Sequence, residues 1–191
     1  MAFTGELYSI PNPAGVVGPI GETVVFAEII WIVTGEGLWL TLLTFGGVFL
    51  VVLGYRRSLK DTVWILLPLT GGVVLALGAL AAAGLKLNFF NVVVIPALLG
   101  MGVDGGVHYY RRWRELGGNV SETQRELFDP LSIANWTTMI GYSGMVFANH
   151  PGIRSIGVFA CVGLLCVWLT TLFLLPGMLV LVAGVRSRTE S

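Results

Sequence analysis

The stretch LNFFNVVVIPALLGMGVDGGVHYY, residues 87–110, contains one charged residue, Asp104. About 20 apolar residues in a helix are enough to cross the hydrocarbon core of a bilayer. The segment therefore reads as a membrane span with a carboxylate inside it. Four charge-free windows surround it: Gly37 to Tyr55, Thr62 to Leu85, Pro130 to Ile153 and Ser155 to Val185. Together they predict an all-α polytopic membrane bundle of five transmembrane helices, near 37–55, 62–85, 88–110, 130–149 and 154–183. Composition agrees. Of 191 residues, 55% are apolar and only 12% charged, against about a quarter charged in soluble domains. Such a chain can neither cover a water-facing surface nor stay disordered.

Charge sets the expected orientation. Eleven basic residues balance eleven acidic ones, so no broad nucleic-acid footprint is expected. Nine basic residues fall on one side of the predicted bundle: Arg56, Arg57, Lys60, Arg111, Arg112, Arg114, Arg125, Arg186 and Arg188. Lys86 and Arg154 remain for the other. Positive residues mark the cytoplasmic face. The spans thus form a domain over 35–185, with a cytoplasmic tail at 186–191 and residues 1–34 outside. That first segment carries Pro11, Pro13 and Pro19, which preclude a long helix, and Gly21 to Val33 suits a short amphipathic one. With no basic residues after Met1 it does not read as a signal peptide. It reads as the tail of a larger extracytoplasmic domain.

Between the third and fourth spans, Gly117-Gly118 breaks the chain. Ser121 with Gln124 three residues on suggests a capping box opening a short helix, Glu122 to Phe128. Pro130 then suits the first turn of the next helix.

Asp104 lies about six residues, so roughly 9 Å, inside the third span. Charge at that depth costs several kcal/mol and marks function by default. A proton relay is the leading reading. A static hydrogen bond between helices is the alternative. Gly100, Gly102, Gly105 and Gly106 leave this segment almost bare, and Gly102 with Gly106 forms a small-xxx-small pair for close helix packing. His108 lies one turn on and is a candidate to pass protons toward the cytoplasm. Thr137 and Thr138 enter from the same side to a similar depth, about 11–12 Å. Asn135, Thr138 and Tyr142 form a polar stripe that should face Asp104.

Other matches carry less. Gly100, Gly102 and Gly105 fit GxGxxG formally, but no strand precedes them. An aspartyl protease would need a second membrane aspartate. Cys161 and Cys166 read as packing residues, and His108 and His150 lack metal-ligand spacing. No metal and no cofactor are expected, and no enzyme.

The residues Leu87-Asn88-Phe89-Phe90-Asn91, Leu99-Gly100-Met101-Gly102-Val103-Asp104 and His108-Tyr109-Tyr110-Arg111-Arg112 resemble the resistance–nodulation–division (RND) transporters. The resemblance is strongest to the lipid-exporting branch of MMPL and hopanoid-transporter type, which shares its five-helix unit with sterol-sensing domains. It continues through Thr137-Thr138-Met139-Ile140-Gly141-Tyr142, His150-Pro151-Gly152-Ile153-Arg154-Ser155-Ile156-Gly157 and Leu174-Leu175-Pro176-Gly177. Where that branch usually has Tyr after the aspartate, this chain has Gly105. The resemblance implies the C-terminal membrane half of a proton-driven exporter in a bacterial inner membrane, as a fragment or split subunit. The implied partners are the bilayer, a lipid or other hydrophobic substrate, the other membrane half and porter domains, with a second copy of the chain a further candidate. A sterol-sensing-like lipid-binding module without transport is the alternative.

Overall fold

The computed structural model describes residues 10–12, 15–17, 22–84 and 89–181. Lys86, residues 1–9, 13–14 and 18–21 of the expected external segment, and the 186–191 tail lie outside the described residues. A two-stranded ribbon, β1 (Ile10–Asn12) and β2 (Gly15–Val17), pairs antiparallel with Ile10 opposite Val17. Five long helices follow, as the charge-free windows predict.

Helix α1 (Glu22–Arg56) runs 35 residues without interruption. The expected amphipathic helix at Gly21–Val33 and the span at 37–55 are therefore one element. Nothing between Thr23 and Arg56 is a proline, and Gly35 and Gly37 alone do not stop a helix. At 1.5 Å per residue its length is about 52 Å, beyond a hydrocarbon core of about 30 Å. The chain turns at Arg57, whose φ of 52° is left-handed, and Ser58 caps the next helix by accepting from the Asp61 N–H.

Helix α2 (Leu59–Ala82) buries Thr62, Ile65, Leu66, Leu69, Gly72, Ala76 and Leu80. These positions follow the three-and-four spacing of one helical face. Helix α3 (Phe89–Glu115) carries the Asp104 segment. Gly117 and Gly118, at φ 64° and 90°, make the turn that reverses it. Helix α4 (Val120–Val146) then runs straight through Pro130. The separate 122–128 helix and the Pro130 start do not occur. The cap is Asn119, whose side chain accepts from the Glu122 N–H at 3.2 Å. Pro130 leaves the helix one hydrogen bond short, which flanking bonds tolerate. Helix α5 (Pro151–Leu169) starts on a His150 cap with Pro151 in its first turn. It continues through a π turn, Thr170–Leu174, to Leu181.

Helix α5 is the hub. It packs on α2, α3 and α4, while α1 lies mainly on α3. Leu98, Phe159, Ala160 and Leu164 fill the α3–α5 seam. Ile65, Tyr109, Leu175 and Leu179 fill the end that bears the α1–α2 and α3–α4 turns. Glycine permits the closest approaches. A Cβ at Gly72 would lie 2.6 Å from the Val167 Cα, and one at Gly157 would lie 2.8 Å from the Val146 N.

The outside is apolar. Leu38, Trp39, Leu43 and Val51 on α1, Ile133 and Ile140 on α4, and Phe173 and Leu181 on α5 are exposed. In water such a surface would be an aggregation liability. Gly35–Arg56, Leu59–Ala82 and Pro151–Leu181 are each long and apolar enough to cross a membrane. The chain is a multi-pass membrane protein.

Candidate functional site

Gly102 and Gly106 orient α3. A Cβ on Gly102 would sit 2.6 Å from the Leu69 Cδ1, and one on Gly106 would sit 2.8 Å from the Ile65 carbonyl oxygen. These two glycines seat α3 against α2 and α5. Asp104, Gly105 and His108 lie around the helix from them and border a cavity between α3, α4 and α5 of about 360 Å³. The cavity exists because α3 and α4 touch only sparsely. Residues Ala134, Asn135 and Thr138 of α4 form the facing wall. Leu164, Val167, Trp168 and Thr171 of α5 form the floor.

The predicted residues separate accordingly. Asp104, His108 and Thr138 share the cavity, and Gly105 borders it. Thr137 does not, because one residue turns it about 100° away from Thr138. Its hydroxyl is exposed and donates to the Ile133 and Ala134 carbonyls. Tyr142 lies beyond the cavity, where its hydroxyl reaches the Met101 sulfur at 3.9 Å. Gly100 packs on nothing within 4 Å, so close packing belongs to Gly102 and Gly106, with Gly105 in ordinary contact with Thr171 at 3.4 Å.

Several polar groups of the wall are already committed. Thr138 donates to the Ala134 carbonyl at 2.9 Å, and the Asn135 amide reaches the Met139 sulfur at 3.3 Å. Trp168 donates its indole N–H to the Ser132 hydroxyl at 3.2 Å and stacks at an angle on Trp136 and Phe128. The α5 contribution escaped the sequence reading. Its available signal was the hydroxyl pair Thr170-Thr171 in an otherwise apolar span. Among the described residues, no three His, Cys, Asp or Glu side chains gather into a metal-binding group.

A second polar cluster holds the end of α3. Asp61 at the start of α2 pairs with Arg56 at 3.0 Å, accepts from the Tyr110 hydroxyl at 2.9 Å and lies 3.8 Å from Arg114. The Arg56 guanidinium stands 5.3 Å over the Tyr110 ring. On the other side Tyr109 donates to Gln124 at 2.9 Å, and Arg112 bonds Glu126 at 2.6 Å. One end of α3 is thus fastened to α2 and α4, while its Asp104 segment borders open space.

Known proteins align with this chain over most of its length. The hopanoid transporter HpnN of Rhodopseudomonas palustris is 29% identical over 159 residues, which is 81% of the chain. HpnN of Burkholderia multivorans is 27% identical over 129 residues, 68% of the chain. The chain is a homologue of the RND-type hopanoid transporters. A membrane protein of Methanocaldococcus jannaschii is also similar, at 22% identity over 71% of the chain and 37% of its own length. The chain spans less than a fifth of these hopanoid transporters, 17% of one and 13% of the other. No family profile matches the chain, and no solved structure does.

Proposed function

We propose that this chain is a membrane half of an RND-type exporter of lipids or other hydrophobic substrates, driven by the proton-motive force. The observation that carries the reading is the cavity lined by both Asp104 and Thr138, beside two glycines, where α3 and α4 stand apart. Asp104 takes up a proton from the external side and releases it toward the cytoplasm. When charged, it needs hydrogen-bond donors or water, which the cavity has room for. When neutral, it needs fewer, so α3 can shift against α4. The gradient biases two packings of the same helices, and that difference in stability is what coupling requires. His108, one turn nearer the fastened end of α3, continues the path.

In this reading α3 and α4 span the membrane beside the three more apolar helices. The end carrying Arg56, Asp61, Arg112 and Arg114 is cytoplasmic, the ribbon and the start of α1 are external, and the membrane is a bacterial inner one. The other membrane half and the porter domains come from outside residues 1–191.

The test is Asp104→Asn in the assembled exporter, since Asn keeps nearly the same volume without the titrating group. Expression and fold should stay near wild type while proton-dependent export is abolished. Export at the wild-type rate would make Asp104 structural and favour a lipid-binding module that does not pump.

A further inference from the structure

Helix α5 departs from α geometry in one place, the five-residue π turn Thr170–Leu174. π turns are rare, and they occur frequently at functional sites. This one starts with two buried threonines whose surroundings differ. The Thr170 hydroxyl lies 2.8 Å from the Pro68 carbonyl of α2, and 3.0 Å from the Cys166 and Val167 carbonyls of its own helix. Gly72 makes room for it: a Cβ there would come within 2.7 Å of the Thr170 oxygen. Thr170 therefore locks the turn against α2. Thr171, the next residue round, is directed to α3 instead. Its methyl lies 3.4 Å and its hydroxyl 3.9 Å from the place a Gly105 Cβ would occupy. It borders the same cavity as Asp104. Among the described residues no hydrogen bond occupies its hydroxyl. The α4 groups on that cavity are differently placed, since Thr138 and Asn135 already donate within their own helix.

We propose that the π turn of α5 delivers Thr171 to the cavity as a positioning residue, whose hydroxyl donates to the Asp104 carboxyl group directly or through one water. Thr170 is the anchor and Thr171 the working group, so a single distortion of α5 ties the α2 seam to the site. Gly105 packs beside it, since even a Cβ there would already be in ordinary contact with Thr171. The inference rests on Asp104 carrying a proton, and the experiment separates the two.

Infrared difference spectroscopy on the full chain in lipid nanodiscs, with pH jumps, reads the carboxyl stretch of Asp104. The band is assigned by its loss in Asp104→Asn. Losing a donor strengthens the C=O bond, so Thr171→Val should move the band to higher wavenumber, while Thr171→Ser should leave it at the wild-type position. Should Thr171→Val lose its helical circular dichroism, Thr171→Ala reads the same band without a branched side chain. A band that stays in place in the Val or Ala variant overturns the assignment of Thr171 alone. So does one that shifts equally in the Ser variant, which would report packing rather than the hydroxyl. The absence of any protonating Asp104 band overturns both this inference and the proton-carrier reading.

Discussion

Single residues decide which face α3 shows to which neighbour. Gly106 faces the Ile65 carbonyl oxygen, so a Cβ would lie 2.8 Å from rigid backbone. Gly106→Ala should destabilise the bundle by about 1–3 kcal/mol, the usual range for overpacking. Gly100→Ala should be neutral or stabilising by up to about 1 kcal/mol, because its Cβ meets nothing and alanine favours helix. Thermal unfolding in mild detergent separates the two, and equal effects would contradict the seating of α3 on α2. The sequence shows that Asp104 stands among glycines, and that Gly102 and Gly106 share a stripe. It does not show which partner the stripe meets. That depends on the order of helices around α5, a long-range fact that no local spacing encodes.

At the scale of elements, charge-free windows locate the five long helices but not their ends. Ser121 has the residue type and spacing of a cap, yet Asn119 holds the position because Gly117 and Gly118 end the turn one residue before it. Asn119→Ala should cost about 1 kcal/mol, and Ser121→Ala should stay within about 0.5 kcal/mol. A larger effect at Ser121 would contradict the observed start of α4. The same turn is laced by exposed charges. Arg111 and then Arg112 hold the Glu115 carboxyl below its usual value of 4.5, and the Arg112 guanidinium does the same to Glu126. A depressed folded-state value means the pairs support the turn above pH 4.5, and that support fades as pH falls below it. Amide exchange at 117–119, corrected for intrinsic rates, should therefore rise on acidification. The effect should be small and salt-sensitive, because both carboxylates face solvent. Unchanged protection would mean the glycine geometry alone holds the turn. The π turn had no comparable signal in the sequence. Its residues Thr-Thr-Leu-Phe-Leu suit an ordinary α-helix, and only packing against Pro68 and Gly72 distinguishes them.

At the scale of the whole molecule, the Asp104 side of the bundle is open. Asp104 is exposed in this five-helix unit, at a cavity that, among the described residues, is lined by α3, α4 and α5. In a bilayer that side would meet lipid, and a charge at that depth costs several kcal/mol. The exposure calls for a covering surface or a hydrated vestibule, which fits the expectation that another membrane half lies against α3 and α4. Orientation can be checked first. Lys60→Cys, beside the basic cluster, should label only from the cytoplasm, and Asn149→Cys, at the α4–α5 turn, only from outside. The reverse pattern would invert the direction of the proposed proton path. With orientation fixed, residues 1–191 reconstituted alone in liposomes under an inward proton gradient should export no hydrophobic substrate above leak. Co-reconstitution with the complementary half should restore export, and Asp104→Asn should abolish what is restored. Export by the five helices alone would show that the cavity already suffices, and that Asp104 needs no covering partner to cycle.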